Sequence, residues 1–325
     1  MRNISFSQAT LEAMQEEMRR DERVFIMGED IASQGGIFGQ FKGLPKEFGL
    51  ERVRDTPISE TALVGAGIGA ALAGAVPVVD MHFADFIGVT MDEVLNQMAK
   101  IRYMFGGQAT LPLVLRAPDG VTRSAAAQHS QSLEAWFLHI PGLKVVIPSN
   151  PADAKGLLKA AIRDQNPVIY FEHKDLFSKK GPVPDGDYLT PIGKAAVVRE
   201  GKDVTIVSYS AMLGKCLEAA DQLGSLHGIE AEVIDLRTIV PMDMETIYES
   251  VKKTHRLVVA HEAVKTGGVG GEIAASVSEN ILEYLDAPII RVGAAFTPIP
   301  FSPPLEKQVI PQVESIVEAV LRARW

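Results

Sequence analysis

The sequence predicts an α/β protein of two doubly wound domains. Three observations carry that prediction. Short β-branched runs alternate with segments of helical periodicity, the alternation breaks once at a cluster of glycines and prolines, and 325 residues suffice for two domains of roughly 100–200 residues each. In chain order, Leu11, Met14 and Met18 mark a helix ahead of a first strand at Val24–Met27. Ala62–Val79 is then 18 residues without a charge, ten of them Gly or Ala, with Pro77 inside the run. That length raises a transmembrane question. Small residues gain little from lipid but permit close packing, so the segment reads as a buried helix followed by a strand at Val76–Met81. Met91, Val94, Leu95, Met98 and Ile101 recur at three- and four-residue spacing and predict the next helix. Strands follow at Pro112–Leu115, Leu143–Ile147 and Val168–Phe171. Between the last two, Asn150 and Pro151 supply the N-cap and first turn of a helix running to about Arg163.

Ser178–Pro191 holds Gly181, Pro182, Pro184, Gly186 and Pro191, too many breakers for an element interior. It reads as a linker at 178–191 between domains at 1–177 and 192–325. The second domain repeats the alternation, with strands at Val204–Ser208, Ala231–Leu236, Leu257–Ala260 and Ile289–Val292. Its helices lie near Leu213–Leu226, Asp243–Lys253, Gly271–Leu282 and Val313–Ala323.

Composition narrows the function. A 46% hydrophobic, 22% charged chain can fill real cores and is not intrinsically disordered. A net charge of -9 argues against broad nucleic-acid binding, which draws on clustered Lys and Arg. Cys216 is the only cysteine, which excludes an intrachain disulfide and a multi-cysteine metal site and suits a reducing compartment. Met1–Arg20 is polar and acidic, without the apolar stretch of a signal peptide. The expectation is a soluble cytoplasmic protein with no membrane and no nucleic-acid partner.

Four patterns bear on chemistry. Gly65, Gly67 and Ala70 fit the dinucleotide pattern G-x-G-x-x-A, with Asp80 at plausible range. The pattern needs a strand just before it, and the segment Asp55-Thr-Pro-Ile-Ser-Glu60 contains Pro57; tight helix packing accounts for the glycines better, and an NAD-dependent oxidoreductase stays as an alternative. Gly267–Gly271 could cradle a phosphate but lacks a Lys-Ser/Thr ending, and tight turns give the same pattern. His129 sits in a small, polar stretch after a strand, where α/β proteins place chemistry, or is an ordinary loop histidine. Glu60 opens the Gly/Ala helix, either as a first-turn charge favoured by the helix dipole or as a buried acid with a raised pKa.

Several stretches together resemble one family over essentially the whole chain. They are Asp55-Thr-Pro-Ile-Ser-Glu60, Arg102-Tyr-Met-Phe-Gly-Gly107, Ala127-Gln-His-Ser-Gln131, Asp153-Ala-Lys-Gly-Leu-Leu158, Ile162-Arg-Asp-Gln-Asn-Pro167, Glu232-Val-Ile-Asp-Leu-Arg-Thr238 and Pro241-Met-Asp. The chain resembles the β subunit of the thiamine-diphosphate-dependent first component of 2-oxo acid dehydrogenase complexes. That resemblance implies a transketolase-like pyrimidine-binding domain followed by a transketolase C-terminal-like domain. It implies that Glu60 hydrogen-bonds the cofactor's aminopyrimidine, that Phe86 stacks on that ring, and that His129 faces the substrate adduct and assists lipoyl transfer. It further implies a structural potassium site at the carbonyls of Leu113, Ala161 and Ile162 with Asp164 and Asn166.

Related enzymes hold Mg²⁺ and the diphosphate with a Gly-Asp-Gly motif. The nearest string here is Asp185-Gly-Asp187, inside the linker and without a suitable Asn downstream. The resemblance therefore implies half an active site, completed by an α subunit in an α2β2 assembly that docks on a lipoyl-bearing dihydrolipoyl acyltransferase. Arg102–Gly107, Ile147–Pro151 and Pro300–Glu306 resemble acetoin dehydrogenase β subunits most, with pyruvate or another 2-oxo acid left open. A non-catalytic assembly subunit and a stand-alone transketolase-like enzyme remain as alternatives.

Overall fold

The computed structural model describes residues 1–323. The chain divides into two compact units, one of Met1–Asp119 with Trp136–Ile192, the other of Gly120–Ala135 with the chain from Gly193 onward.

In the first unit, β1 (Arg2–Ser5) leads into α1 (Phe6–Arg20), whose N-cap Ser5 accepts from the Gln8 amide. Then follow β2 (Val24–Gly28), α2 (Leu44–Phe48), β3 (Val53–Asp55), α3 (Glu60–Leu72) and β4 (Val76–Asp80). A 3₁₀ turn at Ala84–Thr90, a π turn at Glu93–Met98 and the short α4 (Ile101–Met104) come next, then β5 (Val114–Asp119). A short helix, α5 (Glu134–Leu138), spans the return of the chain from the second unit. The first unit closes with β6 (Lys144–Val146), α6 (Pro151–Ile162), β7 (Val168–His173) and β8 (Lys180–Val183).

Six of these strands form a parallel sheet in the order β6-β7-β5-β4-β2-β3. One face buries Val24, Ile26, Val76, Val78, Val114, Val168 and Tyr170 beneath α1 and α6. On the other, α3 lies so close to β4 that a Cβ at Gly67 would overlap the Val79 side chain. Helices cover both faces, the condition for an all-parallel sheet.

Three expectations change here. The predicted linker contributes β8, which pairs antiparallel with β1 from Arg2↔Val183 to Ser5↔Lys180; its prolines and glycines suit a two-stranded edge ribbon. The strand read at Pro112–Leu115 starts at Val114 and continues to Asp119, because Arg116 is buried in the sheet between two carboxylates. The helix read through Met91–Ile101 is broken after Met98, where the Ala99 amide donates to the Val94 carbonyl in a π-type bond and Lys100 reaches the Pro141 carbonyl at 2.9 Å.

The second unit has β9 (Ala196–Arg199), β10 (Val204–Ser208), α7 (Met212–His227), β11 (Ala231–Asp235), a short β12 (Thr238–Val240) and α8 (Met244–Thr254). It continues with β13 (Leu257–Val264), α9 (Val269–Asn280), β14 (Ile290–Ala294), α10 (Pro303–Val309) and α11 (Val313–Arg322). The sheet order is β14-β13-β10-β11-β9, with only β9 antiparallel. Cys216 lies on the buried face of α7 in this core, and burial pushes its thiol up to about 12.

Candidate active site

In the first unit the chain runs from β2 to β3 on one side, then crosses to β4 on the other side of β2. The carboxyl ends of β2 and β4 therefore flank a topological switch point, where open α/β sheets bind ligands. Gly28 ends β2 because a Cβ there would sit 2.6 Å from the Asp80 carbonyl oxygen.

Glu60 is the first residue of α3, half-buried, at this edge of the sheet. Its N-cap Ser59 makes no side-chain cap bond, which leaves the first-turn amides and their partial positive charge beside Glu60. At the next residue, the Thr61 hydroxyl donates to the Val89 carbonyl at 3.1 Å and ties the start of α3 to the 3₁₀ turn that carries Phe86. Phe86 is half-buried and meets Phe83 edge-on at 6.0 Å. Phe83 in turn meets Phe38 at 5.7 Å, and Phe38 meets Phe177 at 5.2 Å. The aromatic row fixes the turn by T-shaped contacts. The structure thus brings Glu60 and the Phe86 turn together.

Behind them lies a run of charge. Glu29, directly after β2, is buried and pairs with His82, two residues after β4, at 3.0 Å. Burial and the nearby carboxylates of Glu60, Asp30 and Asp80 push the Glu29 carboxyl up, against the pull of His82. Deeper still, Arg116 is bracketed by Asp80 and Glu172 and lies 4.9 Å over the Phe41 ring. The Thr10 hydroxyl donates to Glu172 at 2.5 Å. Burial raises Asp80 although Arg116 opposes it. Sequence reading missed Glu29, His82 and Arg116. A Glu just beyond β2 and a His just beyond β4, on the two parallel strands that flank the switch, would have marked the first two.

The alternative sites resolve in physical terms. Gly65 and Gly67 lie well inside α3, so their amides serve the helix rather than a pyrophosphate. Gly268 is the N-cap of α9, and a Cβ there would lie 2.6 Å from the His261 ring, so packing fills the supposed cradle. His261 is buried and held down to about 4 by that burial. Asp185 pairs with the Met1 amino group and Arg2, and Asp187 with Lys159 and Arg163. Among the described residues, no group of three or more His, Cys, Asp or Glu is placed to hold a metal ion.

The five potassium candidates gather at the C-terminus of α6. The Ala161 carbonyl accepts from the Asp164 amide at 3.2 Å and the Leu113 carbonyl from the Val168 amide at 2.9 Å. Ile162 is the last residue of α6. Asp164 accepts from the Asn166 amide and pairs with Lys144, and Asn166 accepts from Arg102. The oxygens suit a hard cation, but the two side chains already serve Lys144 and Arg102.

In the second unit, His129 is half-buried on the loop between Gly120 and Leu133. Glu262 fixes that loop by accepting from the Val121 amide at 2.7 Å and the Ser132 hydroxyl at 3.3 Å, and Glu306 accepts from the Ser124 amide at 3.0 Å. Arg123, Ser124 and Ala126 all have positive φ (39°, 61° and 59°), an unusual cluster for residues with a Cβ. Gln128 and Ser130, on either side of His129, line a cavity of about 530 Å³ with Glu262, Val264 and Phe296. The sequence singles out His129 but gives no sign of the carboxylates that hold its loop.

Residues 2–179 match the family described as Transketolase, pyrimidine binding domain, and residues 193–316 match Transketolase, C-terminal domain. The chain is similar in structure to a split-gene transketolase described as an inactive beta4 tetramer, with a TM-score of 0.81 and 26% identity over 98% of each chain. It is 48% identical to the β subunit of acetoin:2,6-dichlorophenolindophenol oxidoreductase from Bacillus subtilis, over 98% of this chain and 97% of the relative. It is 47% identical to the pyruvate dehydrogenase E1 component β subunit of Rhizobium meliloti, over 98% and 70%. To the 2-oxoisovalerate dehydrogenase β subunit of Bacillus subtilis it is 46% identical, over 98% of each. The chain belongs to the transketolase-like family of acetoin and 2-oxo acid dehydrogenase β subunits.

Proposed function

We propose that this chain is the pyrimidine-side half of a thiamine-diphosphate-dependent dehydrogenase active site, acting on acetoin or a 2-oxo acid such as pyruvate. One observation carries the reading: the Thr61–Val89 bond holds Glu60, at the start of α3, against the turn bearing Phe86, at the carboxyl edge of a parallel sheet. When bound, thiamine diphosphate supplies a nucleophilic carbon that attacks a carbonyl and accepts the electron pair released on carbon–carbon cleavage. Glu60 holds a proton at its carboxyl for the pyrimidine ring nitrogen, and Phe86 offers an aromatic face to the same ring. His129 would donate hydrogen bonds near the substrate oxygen and a proton to the sulfur released when the lipoyl disulfide, the oxidant, opens to take the two-carbon unit.

Asp185 and Asp187 are occupied by ion pairs, which supports an α subunit as the source of the Mg²⁺ site in an α2β2 assembly. The lipoyl group belongs to an acyltransferase core. The carbonyls at the end of α6, with Asp164 and Asn166, form the proposed potassium site, to be checked by a melting temperature that rises with K⁺ and not with Na⁺. Among the described residues no helix is long and apolar enough to cross a membrane. The relatives' identities of 48%, 47% and 46% do not separate the substrates.

The test is Glu60→Gln in the assembled complex. Exchange of the cofactor's C2 proton should fall by about 10²–10⁴-fold while the fold and melting temperature persist. Wild-type exchange in that variant would overturn the reading. Assays of the purified pair on acetoin, pyruvate and branched 2-oxo acids decide the substrate.

A further inference from the structure

His129 sits on a loop whose backbone does little to fix its own shape. From Gly120 to Leu133 the chain is neither helix nor strand. Its internal backbone bonds run from the Gly120 amide to the Gln131 carbonyl at 3.2 Å and from the Ala125 amide to the Thr122 carbonyl at 2.9 Å. Arg123, Ser124 and Ala126 hold positive φ, a costly conformation for a residue with a Cβ. Such a backbone persists only where its surroundings over-determine it.

Those surroundings are side chains far away in sequence but in the same compact unit. Glu262, on β13, accepts through one oxygen, Oε1, from the Val121 amide at 2.7 Å and the Ser132 hydroxyl at 3.3 Å. An oxygen with two lone pairs can serve both donors, so one atom joins the two ends of the loop. Glu306, on α10, accepts through Oε2 from the Ser124 amide at 3.0 Å, among the positive-φ residues. Where the loop enters α5, the Tyr209 hydroxyl donates to Glu134 at 2.6 Å. Glu262 also lines the cavity of about 530 Å³ that Gln128 and Ser130 line from either side of His129.

We propose that Glu262 and Glu306 are positioning residues for His129, acting on lipoyl transfer by selecting the one conformation of the 120–133 loop in which that histidine serves the step. This rests on the role given to His129 above. Glu262 closes the neck of the loop and Glu306 holds its strained tip. The C-terminal domain then contributes to the reaction through the shape it imposes on a loop that belongs, in sequence, to the first domain.

Two readouts test this. In the assembled complex, Glu262→Ala should share the pattern expected of His129→Ala. Transfer to the lipoyl group falls about 10–100-fold, the scale set by a small misplacement of a positioned group, while C2-proton exchange slows far less. Glu262→Gln keeps an acceptor oxygen at the same reach and should recover most of the loss. If Glu262 acts through His129, Glu262→Ala costs nothing further in a His129→Ala background. An equal loss in both backgrounds, or wild-type transfer in Glu262→Ala, would overturn the proposal and leave the role of His129 standing. In the full chain without cofactor, amide hydrogen exchange over residues 120–133 should quicken in Glu262→Ala and Glu306→Ala and stay near wild type in Glu262→Gln. Unchanged exchange in both alanine variants removes the clamp and overturns the proposal too. Wild-type transfer in His129→Ala overturns the role given to that histidine under the proposed function, and the clamp's part in transfer with it. Should Glu262→Ala fail to fold, Glu306→Ala, on a helix that buries none of its residues, carries the same comparisons.

Discussion

Replacing Arg116 by Met should destabilise the first unit more than any surface change, and increasingly so as pH rises. The guanidinium is fully buried, bracketed by Asp80 and Glu172, with Phe41 and Phe177 rings at 4.9 and 6.0 Å. Met fills most of the volume but leaves two carboxylates with no cation in the core. Removing one partner from a buried charge cluster costs about 3–5 kcal/mol, or roughly 10 °C in melting temperature for a unit of this size. The pH dependence follows from Asp80. Burial already raises its carboxyl against the pull of Arg116, and without the cation it rises further. A raised acid contributes stability only below the unfolded carboxylate range, near pH 4, and loses it as pH climbs through the folded value. Calorimetry or urea melts at pH 5 and pH 8 should show the larger loss at pH 8. Converting Asp80 to Asn and Glu172 to Gln in the same chain should recover most of it, because a neutral core carries no unpaired charge. A loss below about 1 kcal/mol, or one equal at both pH values, lies outside what burial of an unpaired charge predicts and would refute the argument.

Other outcomes follow from the same geometry. His129→Ala should slow transfer to the lipoyl group more than it slows cofactor activation, measured in separate single-turnover steps; equal loss in both removes the assignment. Gly67→Val should cost about 2–3 kcal/mol by overpacking, read as a lower urea midpoint, because the new side chain overlaps Val79. The seam between α1 and α6 should loosen in acid. Against the opposing effect of burial, Lys155 and Lys159 of α6 hold the Glu16 carboxyl of α1 below the ordinary carboxylate range, so its contribution is present above that range and lost as pH falls through the lowered value. Hydrogen exchange in Phe6–Arg20 should quicken as pH drops below the ordinary carboxylate range, and Glu16→Gln should flatten the change. The purified chain alone, given thiamine diphosphate and Mg²⁺, should not turn over acetoin or pyruvate with an artificial electron acceptor.

Much of the fold is written in local pattern. Val204–Ser208 holds four consecutive β-branched residues before Ser208 and forms a strand with those bounds, and Asn150 caps α6 by accepting from the Asp153 amide. What escaped has one cause: tertiary contacts that override local signals. β8 contains Gly181 and Pro182, which read as breakers until β1 pairs with them. Arg116 reads as the end of a strand because its two counter-charges come from β4 and β7, 36 and 56 residues away. Motifs single out Glu60, Phe86 and His129 as candidates, whereas the contact of Glu29 with His82 becomes visible only when β2 and β4 stand side by side.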